Sequence, residues 1–351
     1  MGDCASAVSA MLSRPDRAGK EERESFPPSP LPDIRCAAVK TATTIARALV
    51  GPTRAAAVPS RCYLCGGLDL SLRFPARGVA TLDHAAYRCT SFGHRTHGPI
   101  WGCRDCGLLF QWPLPDRTTL LQAYGDVVDP VYLAEKENRY LTFRRVVRLL
   151  GAPAHRRLLD VGAYCGYFVD VAREVGFRAE GLELSRWALD HARRLGLTVH
   201  GETLEQRARS GARYDVVTMW DVVEHFDDPR RELASAFALL RPGGKLYVST
   251  IDTSSMVARL LGSRWPWLMD MHLVYFDRAT LCALLEETGF RVLRRGTYTH
   301  TVSADYLLRK AAASFPRLAP IAAALRRVLP GRLAVPVNLG DNMLVTAERS
   351  S

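Results

Sequence analysis

The stretch Arg157–Phe168, RLLDVGAYCGYF, constrains this chain more than any other. A short apolar run ends at Asp160, glycines stand four residues apart at Gly162 and Gly166, and an amphipathic segment follows. The pattern predicts a strand that turns sharply into a helix. Glycine lets the backbone approach a bound molecule with no Cβ in the way, and the following helix presents unpaired N–H groups. The turn is therefore a ligand seat, of a kind shared by many nucleotide-binding folds.

Strands and helices alternate from Arg157 onward, which predicts an α/β, doubly wound, mainly parallel sheet covered on both faces. A second strand spans Arg178 to Leu184 and carries Glu183 at its end, where an acid can accept ribose hydroxyls. Ser185 caps a helix that runs to Leu195, and Leu197 to His200 is a third strand. After it, Glu202-Thr203-Leu204 offers an acid and backbone N–H groups to an adenine edge. The fourth strand, Tyr214 to Trp220, empties into Asp221-Val-Val-Glu224-His225-Phe-Asp-Asp-Pro229, the position where such sheets gather ligands. A helix from Pro229 to Leu240, the turn Arg241-Pro-Gly-Gly244 and a fifth strand from Lys245 to Thr250 complete the series.

Upstream, Cys62-Tyr-Leu-Cys65-Gly and Cys103-Arg-Asp-Cys106-Gly are two knuckles that together read as a zinc ribbon. Each pair places two thiolates at one corner, and four soft sulfurs close a tetrahedron, so the zinc would be structural. Cys89, His94 and His97 lie between the knuckles and are left outside the ligand set. Helical spacing at 116–153 predicts a cap on the main sheet, with helices from Arg117 to Tyr124 and from Tyr132 to Leu150. The expected division is a weakly structured leader at 1–58, a ribbon at 59–115, a helical cap at 116–153 and a main domain at 154–300. A basic amphipathic insertion at 301–338 and a last strand at 339–351 follow.

Leu158–Phe168, Glu183, Tyr214–Pro229 and the Leu240-Arg-Pro-Gly-Gly-Lys-Leu-Tyr-Val248 segment together resemble the class I S-adenosylmethionine-dependent methyltransferases. The Glu224-His225-Phe-Asp-Asp-Pro229 segment is similar to the small-molecule branch that includes the ubiquinone-biosynthesis enzymes. With the leading cysteine pairs, the chain also resembles bacterial zinc-ribbon sugar C-methyltransferases. The resemblance implies a Rossmann-like seven-stranded sheet, with a sixth strand at 289–298 and an antiparallel last strand at 342–349. It implies that Asp160, Gly162 and Gly166 shape the seat for the methionine end of S-adenosylmethionine. By the same resemblance Glu183, with Leu184 beside it, holds the ribose, Glu202, Thr203 and Leu204 border the adenine, and Trp220 and Asp221 lie by the methionine moiety. The family has glycine where this chain has Tyr164, which then stacks on or covers the ligand.

Methyl transfer needs a group to take the acceptor's proton, and His225 is the first candidate, with Glu224 as its partner and His272 as a second base. His272 falls in an aromatic segment, Trp265 to Phe276, that reads as a substrate lid, with Tyr275 as a substrate contact. The expected acceptor is a small molecule such as a sugar nucleotide, glycan or natural-product intermediate. An RNA base methyltransferase is the alternative and a non-catalytic binding protein the second. Against RNA, the net charge of +11 is concentrated outside the ribbon: Arg291 to Arg332 holds nine basic residues against the single acid Asp305. That basic segment, at 306–333, is also a candidate for peripheral contact with an anionic membrane face. No apolar run is long enough for a membrane span and no secretory core opens the chain, so the expected compartment is the cytoplasm.

Overall fold

The computed structural model describes residues 58–78, 87–90 and 96–350, which belong to one compact unit, Ala55–Ser351. His94 and the expected leader up to residue 57 lie outside the described residues. The first sheet is antiparallel and contains β1 (Leu70–Phe74), β2 (Ile100–Cys103) and β3 (Leu109–Gln111). Helices α1 (Arg117–Gly125), α2 (Pro130–Ala134) and α3 (Lys136–Val146) follow, and Gly151 ends the helical run with φ +76°.

The single helix expected from Tyr132 to Leu150 is interrupted at Glu135. This carboxylate is turned into the protein, where it accepts hydrogen bonds from the Ser303 N–H (2.8 Å) and hydroxyl (2.5 Å) and from Asn138 Nδ2 (3.0 Å). A buried acid with distant partners is invisible to helical periodicity.

The main sheet has seven strands. In chain order β4 is Arg157–Val161, β5 Arg178–Leu182, β6 Val199–His200, β7 Tyr214–Trp220 and β8 Leu240–Ile251. The short β9 (Val274–Tyr275) stands apart, and β10 (Phe290–Thr297) returns to the main sheet. The two-stranded pair β11 (His300–Ser303) and β12 (Ala334–Val337) precedes the final strand, β13 (Asn342–Arg349). The spatial order is β10-β13-β8-β7-β4-β5-β6, with β13 antiparallel to both neighbours and the β8-to-β6 portion parallel. This is the doubly wound, Rossmann-like architecture expected, down to the antiparallel last strand.

Helix α4 (Tyr167–Glu174) begins at Gly166 and buries Tyr167, Phe168, Val169, Val171 and Ala172 against the sheet. Each large apolar side chain so buried contributes about 1.5–3 kcal/mol. Across its outer face α3 packs by Phe143 on Phe168, with ring centroids 5.4 Å apart, and by the Tyr140 hydroxyl on Asp170. Helix α5 (Arg186–Arg194) is capped by Ser185 as expected.

Two elements differ from the sequence reading. Residues Leu204–Arg209 form a helix, α6, closed by a capping box between Thr203 and Gln206. The aromatic segment before Phe276 is not a free lid, because β9 within it pairs with β3 and extends the first sheet to four strands. Tyr275 is fully buried there and its hydroxyl donates to the Met269 carbonyl (3.2 Å), so it does not reach the cleft. The remaining helices are α7 (Pro229–Leu239), α8 (Met256–Leu261), α9 (Arg278–Glu287), α10 (Ala304–Ser314) and α11 (Ala319–Val328). The last two pack together between β11 and β12, and α11 leaves Ile321 and Val328 exposed beside Arg326 and Arg327. Among the described residues no helix is long and apolar enough to cross a membrane.

Candidate functional site

Strand order reverses between β4 and β7, and ligands of such sheets bind beyond the carboxyl ends of the strands at that point. The main cleft opens there, with ≈ 1050 Å³ of empty space that includes its open mouth. Gly162, Tyr164, Glu183, Leu184, Glu202, Thr203, Leu204, Trp220, Asp221 and His225 all line it. Asp160, Gly166, Glu224 and His272 do not line it.

Gly162 has φ +69°, and a Cβ there would come within 2.7 Å of the Val222 side chain. The turn therefore admits only glycine without displacing its neighbour. Asp160 is buried and accepts the Thr218 hydroxyl at 2.6 Å, which joins β4 to β7. Burial, and then the charge of Glu183, raise its carboxyl to about 8.

Glu183 accepts three backbone N–H groups: Leu184 and Ser185 on Oε1, both at 2.7 Å, and Tyr164 on Oε2 at 2.8 Å. A carboxylate has about four lone-pair sites, so one remains on Oε2 for a ligand hydroxyl. Burial raises its carboxyl against the pull of these N–H groups.

Tyr164 holds φ +48° without being glycine. Its ring is edge-on to Tyr132 with centroids 4.5 Å apart and tilted against Trp187 at 6.1 Å. The ring is buried at the cleft wall, and its hydroxyl has no hydrogen-bond partner among the described residues. Trp220 lies flat on Tyr298 (5.5 Å, 12° between planes) and forms the cleft floor at the end of β7.

The loop after β7 carries Asp221, Glu224 and His225. Asp221, at φ +56°, accepts the Ser249 hydroxyl at 2.9 Å and faces His300 Nε2 at 3.3 Å. Burial opposes its ionisation, but His300 and Ser249 hold its carboxyl below the ordinary value. His225 Nδ1 hydrogen-bonds the Met271 carbonyl at 2.8 Å, and His272 Nδ1 bonds the Trp267 carbonyl at 2.8 Å. In each neutral ring a carbonyl bond at Nδ1 holds the N–H there, which leaves the lone pair on Nε2. Burial lowers both imidazoles, which favours their neutral forms. The two rings lie 5.0 Å apart. Glu224 is buried, its Oε2 has no partner among the described residues, and burial followed by the charge of Asp221 raises its carboxyl to about 8.

Several lining residues were not singled out from the sequence. Tyr87, Leu120, Leu121, Tyr124 and Met271 give the cleft an aromatic and apolar upper wall. Arg117 ties α1 across the cleft to Asp227 (2.6 Å) and Glu232 (2.9 Å). The proximity of Asp116-Arg117 to a helix start is legible in the sequence, but its ion-pair partners over a hundred residues away are not.

The four knuckle cysteines converge. Cys62 and Cys106 sulfurs are 3.6 Å apart and those of Cys65 and Cys103 3.5 Å, and all four lie within 4.8 Å of one another. Tetrahedral zinc with bonds of about 2.3 Å requires sulfur separations of about 3.8 Å, so the set fits the ion. Both knuckles repeat one hydrogen-bond pattern: Cys62 N–H to Gly67 O and Gly66 N–H to Cys62 O, then Cys103 N–H to Leu108 O and Gly107 N–H to Cys103 O. Cys89 lines the cleft instead, and His97 is buried with Nδ1 on the Gly98 carbonyl.

Residues 134–295 match a family profile described as a methyltransferase domain. Ubiquinone biosynthesis O-methyltransferase of Coxiella burnetii (strain RSA 493 / Nine Mile phase I) is 29% identical over 103 residues, 28% of this chain and 44% of the relative. The enzyme of that name from Aeromonas salmonicida is 26% identical over 151 residues, 39% of this chain and 63% of the relative. That from Cereibacter sphaeroides is 32% identical over 117 residues, 31% and 47% of the two chains. The chain thus spans less than two thirds of the length of these curated relatives. Among solved structures, an S-adenosylmethionine-dependent methyltransferase from Archaeoglobus fulgidus aligns with TM-score 0.44 and 18% identity over 63% of this chain and 100% of that chain.

Proposed function

We propose that this chain, whose residues 134–295 form a class I S-adenosylmethionine-dependent methyltransferase domain, transfers a methyl group to a small-molecule acceptor. One observation carries the reading: the cleft that holds the glycine turn and Glu183 also holds His225, with its Nδ1 committed to Met271. The cofactor, when bound, supplies a sulfonium-activated methyl group. Gly162 and the turn around it seat its methionine end, Glu183 accepts a ribose hydroxyl, and the α6 amino terminus with Glu202 borders the adenine. Trp220, backed by Tyr298, keeps water from the floor. His225 Nε2 takes the proton of the acceptor as its nucleophilic atom is alkylated, with His272 as the second base. Glu224 fixes the loop between them.

The apolar, aromatic wall of Tyr87, Leu120, Leu121 and Tyr124 supports a compact acceptor such as a natural-product intermediate or the sugar of a sugar nucleotide. The four-cysteine cluster is proposed as a structural zinc site, read from its sulfur geometry.

Calorimetry with S-adenosylhomocysteine, followed by turnover of S-adenosylmethionine against a panel of sugar nucleotides, quinols and structured RNA, tests the reading. Binding with turnover on a small molecule, abolished in His225→Ala while cofactor binding persists, is the expected result. No cofactor binding would overturn the enzyme reading, and turnover of RNA alone would overturn the acceptor class. Zinc analysis of wild type and Cys103→Ser tests the ribbon; equal zinc in both would refute it.

A further inference from the structure

Two basic side chains, Arg139 and Lys310, have no carboxylate partner among the described residues. Arg139 lies on α3 with its Cζ 4.9 Å from the centre of the Tyr132 ring, and that ring meets the cleft-lining Tyr164. Its Nε is buried without a hydrogen-bond partner among the described residues. Lys310 lies on α10, with Nζ 4.5 Å from the centre of the Trp267 ring and 3.4 Å from the Tyr306 hydroxyl. The neighbouring carboxylates are engaged elsewhere: Asp221 with His300 and Ser249, Glu135 with Ser303 and Asn138, and Asp129 with the N–H groups of Thr90 and Tyr132. Cys89 links the two cations to the cleft. Its side chain is exposed and lines the cleft, yet burial, and then the charge of Asp129, push its thiol up to about 12, with Arg139 pulling against them. Lys310 is half-buried, and burial followed by the charge of Arg139 lowers its ammonium to about 7, with Cys89 opposing. Side chains that keep accessible surface while losing solvation face a recess and not bulk water. Arg139 also adds to the pull of His300 and Ser249 on Asp221, so Arg139, Lys310, Cys89 and Asp221 surround one volume.

We propose that Lys310, with Arg139 beside it, seats an anionic group of the methyl acceptor, a phosphate or a carboxylate. The inference names an acceptor class for the methyl-transfer reading and rests on that reading. Two like charges in a partly desolvated recess are costly without a counter-ion. The cofactor does not supply one in excess, because its sulfonium and ammonium outnumber its carboxylate. An acceptor that carries an oxyanion does. The faces of Trp267 and Tyr306 hold the ammonium by cation–π attraction without neutralising it, so Nζ keeps N–H donors for an oxyanion. Arg139 adds a planar guanidinium of the geometry that pairs with phosphate or carboxylate oxygens. Anchoring one end of the acceptor restricts the orientations in which its nucleophilic atom meets His225. Helix α10 lies beyond the residues matched as a methyltransferase domain, 134–295, so Lys310 adds acceptor selectivity without altering the glycine turn or Glu183.

Two competing accounts are that Lys310 only packs, satisfied by Trp267 and Tyr306, and that it holds the carboxylate of the cofactor itself. The full chain, saturated with S-adenosylhomocysteine, is titrated by calorimetry at constant ionic strength with inorganic phosphate and, separately, with benzoate. At least one of the two should bind, and the tighter identifies the anion of the acceptor. Lys310→Met and Lys310→Gln should each weaken that binding by at least about tenfold while S-adenosylhomocysteine affinity stays within about twofold of wild type. Circular dichroism and melting temperature check folding. Binding of neither anion to wild type, or a folded variant that binds the anion as wild type does, overturns the proposal in favour of packing. A loss of S-adenosylhomocysteine affinity in the variants as large as the loss for the anion overturns it in favour of the cofactor carboxylate. If wild type does not bind S-adenosylhomocysteine, the methyl-transfer reading fails, and the same titrations of the free chain still decide whether Lys310 seats an anion.

Discussion

Replacing Tyr164 by Phe should push stability and cofactor affinity in opposite directions. The side chain occupies φ +48°, a conformation that costs an L-residue about 1–2 kcal/mol, and that cost is common to Tyr and Phe. The ring contacts with Tyr132 and Trp187 also persist in Phe. What changes is the hydroxyl, which is buried without a partner and carries a desolvation penalty of about 1–3 kcal/mol in the ligand-free protein. Its removal should raise the melting temperature by about 2–4 °C for each kcal/mol recovered. If the hydroxyl is instead satisfied by the bound cofactor, Phe forfeits a hydrogen bond of about 0.5–1.5 kcal/mol, or roughly two- to tenfold in affinity. Differential scanning calorimetry without ligand and isothermal calorimetry with S-adenosylhomocysteine measure the two effects. Tyr164→Gly is the control for packing: loss of the ring costs about 3–5 kcal/mol, offset by about 1–2 kcal/mol of relieved strain, so this variant melts lower than wild type. A Phe variant that melts lower than wild type and binds the cofactor unchanged would refute the reasoning, because the hydroxyl would then have a partner inside the protein.

Gly162→Ala places a methyl 2.7 Å from Val222 at φ +69°, with strain of about 1–3 kcal/mol, and should weaken S-adenosylhomocysteine binding by more than about tenfold; unchanged affinity would show that the turn is not the seat. Asp160 has a folded-state carboxyl raised to about 8, so its contribution to stability is fully present below the unfolded carboxyl range near 4 and is lost as pH rises through about 8. Urea midpoints of the ligand-free protein should therefore fall between pH 5 and 8, and Asp160→Asn, which keeps an acceptor for Thr218, should flatten that slope; an unaltered slope in Asn would contradict the assignment. Gln111→Leu removes amide contacts to the Met269 carbonyl (2.9 Å) and the His272 carbonyl (2.6 Å), and should lower kcat more than the KM for S-adenosylmethionine; steady-state kinetics showing equal changes would disagree.

The glycine turn, the strand-end acid and the strand from Tyr214 to Trp220 were legible because each is a local pattern with a local cause. Strand β7 is bounded by the change from apolar residues to acids, and α5 by a serine cap. Helix α6 carried an equally local signal in Thr203-Leu-Glu-Gln206, which the short segment between two strands concealed. What no periodicity conveys is which distant side chains meet. His225 and His272 are forty-seven residues apart and adjoin in space, and His300, in the strand after β10, reaches Asp221. Tyr275 shows the converse, since an aromatic cluster with the composition of a lid became the core under a two-residue strand. Such outcomes depend on register between segments, which only the assembled sheet specifies.

The cysteine ribbon and the proposed catalytic loop look separable in the sequence, but the hydrogen bonds join them. Strand β3 leaves the second knuckle, pairs with β9 at Leu109 and Phe110, and ends on Gln111. The Gln111 N–H bonds the Leu273 carbonyl at 2.8 Å while its side-chain amide holds the carbonyls of Met269 and His272. Leu273 N–H in turn bonds the Glu224 carbonyl, and the Met271 carbonyl between these points receives His225 Nδ1. The orientation of His225 is therefore set by a backbone segment that the ribbon sheet positions. Buried bonds of this kind each contribute about 0.5–1.5 kcal/mol when made, and orphaned partners cost about 1–3 kcal/mol, so the segment has one favoured placement and not a continuum. A metal at the proposed zinc site, more than a hundred residues before the histidines, would then act on the proposed methyl transfer through position alone. On the proposed function, the four-cysteine segment would thus serve the methyltransferase domain matched at 134–295 without touching the acceptor.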